Sequence, residues 1–239
     1  MRSSPASIPF SSVSQDWRMP LKGNKSHIYF DFVQHLESIY GMFSVNLDEA
    51  LGMWRTGRGS KAYQVLSVAP ALCGRLAYPL SGVLQVMVEH AKHFGIAPNI
   101  TPLDAGNFQN SRSQRAALFN DLFSRVLLTR KSQFVHKISA LADLIEELRH
   151  NFQSTATNLF SGDSLHSNRD WELLDSIHYD LNTCLRETVV LFKSFLHALP
   201  EQQLPGIQEM LDRQSATITP VHPRTHHLAH RRMAFLKGQ

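Results

Sequence analysis

Four long stretches of this sequence carry apolar residues at helical spacing, and this periodicity restricts the chain to an all-α fold. The stretches run over about residues 26–54, 60–94, 113–159 and 169–199. Alternating runs bounded by turn residues, which predict β-hairpins, are nearly absent. The sequence therefore predicts an elongated antiparallel four-helix bundle.

Glycine, proline and capping residues mark the ends of these predicted helices. Ser26 is a good N-cap for the first, the RTGRGS sequence ends it, and Pro200 stops the fourth. Pro70 and Pro79 interrupt the second stretch, but its apolar stripe keeps the same phase past both. We therefore expect a kink in the second helix rather than two separate helices.

The remaining segments lack helical periodicity. Residues 95–111 hold two prolines and two glycines and predict a long loop. The chain is thus divided into a flexible N-terminal segment (1–25), a single bundle domain (26–200) and a basic, His-rich C-terminal tail (201–239). The third helix is longer than the first, so its overhanging apolar stripe needs cover from a tail or from a second copy.

The net charge of +4 is distributed unevenly along the chain. Residues 1–25 carry +3 and residues 213–239 carry +5, which leaves −4 for the residues between them. A nucleic-acid-binding domain usually presents its cations on a folded face, and here the excess lies at the two ends. This charge distribution predicts at most a weak contact of residues 213–239 with nucleic acid or an anionic membrane.

The cysteine content and the hydropathy pattern indicate a cytoplasmic protein. Cys73 and Cys184 do not make a disulfide framework, and they fit a reducing compartment. The apolar runs fall short of the about 18 residues that a membrane span requires, and the N-terminus has no apolar signal region. We therefore expect neither a transmembrane segment nor secretion.

Pairs of acidic and histidine residues at metal-binding spacing occur on two predicted helices. Glu147 and His150 resemble the Glu-x-x-His element of di-metal bundles, and Glu89 and His93 are four residues apart. Both pairs lie opposite the apolar stripe of their helix, where a metal inside the bundle cannot reach them. The sequence predicts no metal site, no cofactor and no catalytic residues.

A polar ladder on the fourth helix is the main candidate site. Placed on a helical wheel, it begins at the edge of the apolar stripe and turns toward solvent, with Arg186 mostly solvated. One interpretation is a polar groove that binds a small ligand, and the other is a set of hydrogen bonds that fix the register of neighbouring helices. The candidate residues are Asp175, His178, Tyr179, Asn182 and Arg186.

Val189 and Leu196 occupy nearly the same sector farther along this helix, which predicts that a neighbouring helix or a partner covers it. Together these features favour a non-catalytic helical interaction or regulatory scaffold protein that forms homo-oligomers or binds a protein partner. An enzyme or ligand-binding bundle that uses the polar groove is the alternative. An adaptor that binds nucleic acid or anionic surfaces through its basic tails is a third hypothesis.

Overall fold

The computed structural model describes residues 21–94, 130–161 and 167–217. Of these residues 93% are helical and none lies in a strand, which confirms the predicted all-α class. A short 3-10 helix, Glu201–Gln203, precedes the last α-helix. The α-helices are α1 (Asn24–Arg55), α2 (Gly59–Leu66), α3 (Ala69–Phe94), α4 (Arg130–Ser161), α5 (Ser167–Ala198) and α6 (Leu204–Thr217).

Helices α1 and α5 pack against each other in opposite directions. Near the start of α1, Lys25 Nζ donates a hydrogen bond to the carbonyl oxygen of Leu199 over 2.6 Å. At the other end, Arg55 Nη2 lies 2.9 Å from Asp175 Oδ2. Helix α4 packs against both α3 and α5, and α6 packs against α3.

Aromatic side chains from different helices meet in the core between these elements. Phe43 of α1 contacts Phe152 of α4 edge to face, with 5.3 Å between ring centroids. Trp54 stacks on the buried Trp171 of α5 at 5.8 Å. Burying one such ring stabilises the fold by about 1.5–3 kcal/mol, so the apolar stripes read from the sequence are what hold the helices together.

The second predicted helix is divided in two. Helix α2 ends at Leu66 and α3 begins at Ala69, so the helix is interrupted at residues 67–68, just before Pro70. Pro70 falls in the first turn of α3, where its missing N–H has no intrahelical acceptor to lose. Pro79 lies inside α3. The prediction of a single kinked helix is therefore wrong at Pro70, where the chain forms two helices. At Pro79 the helix continues, as expected.

The chain continues as structure beyond Pro200, where a tail was expected. Leu204 and Ile207 are buried and belong to the main core, with 7% and 0% of their surface exposed. Their spacing of three residues places both on one face of α6, which is enough to dock a short helix on α3. Several predicted segments lie outside the described residues. They are the segment 1–20, the predicted loop 95–111, the first part of the third predicted helix and the rest of the predicted tail.

Within the described residues, one stretch is long and apolar enough to cross a membrane by length and composition, namely Gly59–Phe94, which comprises α2 and α3. Of the window that meets this criterion, 67% is buried inside the protein. A buried core helix meets the same criterion, so this stretch is weak evidence for a membrane span. That the chain has no transmembrane segment therefore stays a prediction.

Candidate functional site

Helix α5 carries the candidate residues and is buried around more than half of its circumference. It begins at Ser167, and Asp170 in its first turn interacts favourably with the helix dipole. At about 100° per residue, its buried side chains cover an arc of about 200°, from Glu187 to Val189. This arc is wider than the apolar stripe, because α1, α3 and α4 all pack against α5.

The first candidate, Asp175, is bound to α1. Its carboxylate accepts a hydrogen bond from Arg55 over 2.9 Å. The two side chains are 36% and 43% exposed, respectively. An ion pair this exposed contributes about 0.2–1 kcal/mol to stability, so it fixes the position of the helix end more than it stabilises the fold.

His178 is buried in the same contact and is 6% exposed. Its Nε2 lies 3.3 Å from the hydroxyl oxygen of Tyr40. Its ring stacks on the ring of Tyr40 and meets the edge of Phe43 at 5.4 Å. Burial lowers the pKa of His178, and the nearby carboxylates of Asp48 and Asp175 partly oppose that shift. The imidazole is thus held neutral as a link between α1 and α5.

The other three candidates, Tyr179, Asn182 and Arg186, have exposed or unpaired side-chain groups and form no hydrogen bond with α1 among the described contacts. Tyr179 is 41% exposed. Asn182 and Arg186 are half-buried, and Asn182 Oδ1 and Arg186 Nε and Nη2 are closed to solvent without a hydrogen-bond partner among the described residues. Arg186 is near enough to Tyr40 that its positive charge works to lower the pKa of that phenol, against the larger raising effect of burial. The prediction that Arg186 is mostly solvated is therefore wrong.

The unpaired atoms of Arg186 have a specific chemical meaning. Nε and Nη2 form one edge of the guanidinium, and this edge binds a carboxylate or phosphate through two parallel hydrogen bonds. A buried polar group without a partner costs about 1–3 kcal/mol, and more when it is charged. Arg186 and Asn182 are thus the two members of the ladder whose hydrogen bonding is incomplete within the described part of the chain.

Sequence reasoning missed a buried pair of ionisable residues between α4 and α5. Lys137 and Glu187 are 5% and 3% exposed. Burial raises the pKa of Glu187 to about 8, against the effect of Lys137, and burial lowers the pKa of Lys137 to about 8, against the effect of Glu187. The position of Lys137, three residues after Phe134 and four before Leu141, places it on the apolar stripe and was the signal that could have found it.

A second missed contact joins α3 to the 3-10 helix. His90, which is 2% exposed, lies with its Nε2 2.6 Å from Gln203 Oε1. Burial lowers the pKa of His90, and the hydrogen bond to Gln203 opposes this effect. The sequence could not indicate this contact, because Gln203 was assigned to the tail.

In the ranges that the structure describes, no three His, Cys, Asp or Glu side chains are grouped to hold a metal ion. Glu147 and His150 are exposed on α4, and His93 is exposed on α3. Burial raises the pKa of the Cys73 thiol to about 12, which makes it a poor nucleophile at neutral pH.

The structure thus separates the five predicted residues into two groups. Asp175 and His178 are bound to α1, while Tyr179, Asn182 and Arg186 keep exposed or unpaired groups. Comparisons of the chain with protein-family models, with curated proteins and with solved structures found no match.

Proposed function

We propose that this chain is a non-catalytic helical interaction protein that self-associates, as a scaffold or regulator in the cytoplasm. Its framework is an elongated antiparallel four-helix bundle of α1, α3, α4 and α5, to which α2 and α6 are added. The opposite directions of α1 and α5 support this arrangement. The cytoplasmic location is supported by Cys73 and Cys184, which are buried in the core and are not joined in a disulfide.

The observation that carries the proposal is a partly exposed face of α5, which we call the α5 ridge. Tyr179 and Val190 are 41% and 40% exposed on this ridge, on either side of the half-buried Asn182 and Arg186. Tyrosine and arginine are among the residue types enriched at the centres of protein interfaces. The α5 ridge consists of Asp175, Tyr179, Asn182, Arg186 and Val190.

The contacts of His178 support a structural role for the inner part of the ladder. A general base must come within hydrogen-bond reach of a substrate proton. The Nε2 atom of His178 is instead directed at Tyr40, and the ring is enclosed by Tyr40 and Phe43. This environment fits a residue that fixes the register of two helices better than one that reacts.

Light scattering on the purified full-length protein tests self-association. We expect a defined mass above that of a single 27.1 kDa chain. The variants Tyr179→Ser and Val190→Ser should lower this mass, because each removes exposed apolar area from the ridge. The matched control is Val45→Ser, at an α1 position that is 67% exposed. A single-chain mass at every concentration would refute the proposal.

The unpaired atoms of Asn182 and Arg186 favour a second candidate function, the binding of a small anionic ligand. Thermal shifts with inorganic phosphate and with succinate test it. A shift that Asn182→Ala or Arg186→Met abolishes would support this function, and unchanged melting with both anions would refute it. The third hypothesis, an adaptor acting through residues 213–239, predicts salt-sensitive binding to nucleic acid or anionic vesicles that deletion of those residues removes.

A further inference from the structure

The α5 ridge has a charge order that is complementary to itself when reversed. Along the helix it presents the carboxylate of Asp175, then Tyr179 and Asn182, then the guanidinium of Arg186. At about 100° per residue these four side chains fall within about 60° of one another. A second copy running in the opposite direction would place Arg186 opposite Asp175 and Tyr179 opposite Asn182.

We propose that two copies of the chain pair through their α5 ridges in antiparallel orientation, with Arg186 of each copy bound to Asp175 of the other. This inference rests on the proposed self-association and specifies its interface. The contact is isologous, because the same residues serve on both sides of a two-fold axis, and such dimers are the commonest closed assemblies.

The pairing supplies the hydrogen bonds that Arg186 and Asn182 lack. Nε and Nη2 of Arg186 can donate in parallel to the carboxylate of Asp175 in the second copy. The Tyr179 hydroxyl, on a side chain that is 41% exposed, can donate to the unpaired Asn182 Oδ1 of the other copy. Each side of the ladder therefore carries the groups that complete the other.

The contact requires two side chains to move. Oδ1 of Asn182 and Nε and Nη2 of Arg186 are closed to solvent in the single chain, so both side chains turn outward as the copies approach, which a change of rotamer permits. Asp175 already binds Arg55 through Oδ2, but a carboxylate accepts several hydrogen bonds and the side chain is 36% exposed.

Charge reversal tests this interface directly. We expect Asp175→Arg alone and Arg186→Asp alone each to give a single-chain mass, because each places like charges opposite one another. The two single variants mixed in equal amounts should recover the dimer mass, and so should the double variant. An interface built on one helix face is small, so we expect micromolar affinity and would measure up to about 100 µM protein.

Two controls keep the readout specific. Arg55→Ala removes the intrachain partner of Asp175 without changing the ladder, so it should retain the wild-type mass. Glu49→Arg reverses an exposed charge elsewhere and should also leave the mass unchanged. Circular dichroism checks that every variant is folded.

The outcomes separate this interface from the general proposal. An oligomer whose mass is indifferent to both single reversals, or a mixture that stays at single-chain mass while the wild type dimerises, would overturn the α5 interface alone. A wild-type protein of single-chain mass would overturn self-association and this interface with it.

Discussion

The hydroxyl oxygen of Tyr40 lies 3.3 Å from Nε2 of His178, and this contact joins α1 to α5 in a buried environment. The imidazole and the phenol also stack, with 5.8 Å between ring centroids. The histidine that the sequence placed at the edge of the apolar stripe is thus part of the contact that sets the register of the two helices.

Removing the Tyr40 hydroxyl tests how much this contact stabilises the protein. Tyr40→Phe keeps the ring but leaves Nε2 of His178 buried without its partner. We expect the free energy of unfolding to fall by about 1–3 kcal/mol, measured by urea denaturation. Tyr78→Phe, at a tyrosine that is 47% exposed on α3, is the control and should change the free energy of unfolding by less than about 0.5 kcal/mol.

Acidification is expected to destabilise the fold through His90 and His178. Burial lowers the pKa of both residues from the usual 6.5. Below that value the unfolded chain binds protons that the folded protein does not, so stability is fully present above about pH 6.5 and is lost as the pH falls. A double His90→Gln, His178→Gln variant should show a weaker decline in melting temperature between pH 7 and pH 5. An equal decline in both proteins would contradict this role.

A double-mutant cycle tests the buried pair of Lys137 and Glu187. Lys137→Met removes the partner of a buried carboxyl group that is protonated at pH 7, because its pKa is raised to about 8, so we expect a loss of about 1–3 kcal/mol in the free energy of unfolding. The double variant Lys137→Met, Glu187→Leu should recover most of this loss or exceed the wild type. Additive effects of the two substitutions would show that the side chains do not interact.

The same pair predicts a minimum of stability near pH 8. The pKa of Glu187 is raised from 4.5 to about 8, so between these values the folded state holds a proton that the unfolded chain has lost, and stability falls as pH rises. The pKa of Lys137 is lowered from 10.5 to about 8, so above pH 8 the relation reverses and stability rises. The free energy of unfolding, measured by denaturation at a series of pH values, should show this minimum when the values of the Lys137→Met, Glu187→Leu variant are subtracted from those of the wild type.

Helix α6 should contribute to global stability, although it was predicted as tail. Ile207 has no exposed surface, and Ile207→Ala should lower the free energy of unfolding by about 2–5 kcal/mol. The control is Gln208→Ala, at an exposed neighbour on the same helix. It should change the free energy of unfolding by less than about 0.5 kcal/mol. An Ile207→Ala protein as stable as the wild type would show that α6 docks only weakly.

The boundaries of the first and fourth predicted helices lie within two residues of those in the structure, although α1 is capped by Gly23 and not by Ser26. The expected first helix at about 26–54 is Asn24–Arg55, and the expected fourth at about 169–199 is Ser167–Ala198. The break before Pro70 was harder to predict, because an unbroken apolar phase fits both a kink and two helices.

The candidate site was predictable only as a set of residues. The wheel correctly placed His178 at the buried edge, but it placed Arg186 mostly in solvent, and the structure closes Nε and Nη2 of that residue. The cover expected over Val189 and Leu196 comes from the chain itself, since they are 2% and 0% exposed.

The sequence by itself determined the helical class and the face of each long helix that turns inward, because apolar periodicity is a local property of the chain. Only the tertiary structure decided which polar groups are paired. Asp175 meets Arg55, and Lys137 faces Glu187, across separations that no local pattern records. Partners are determined by how whole helices pack, and within the described part of the chain this packing leaves Arg186 and Asn182 with hydrogen bonds still to be made.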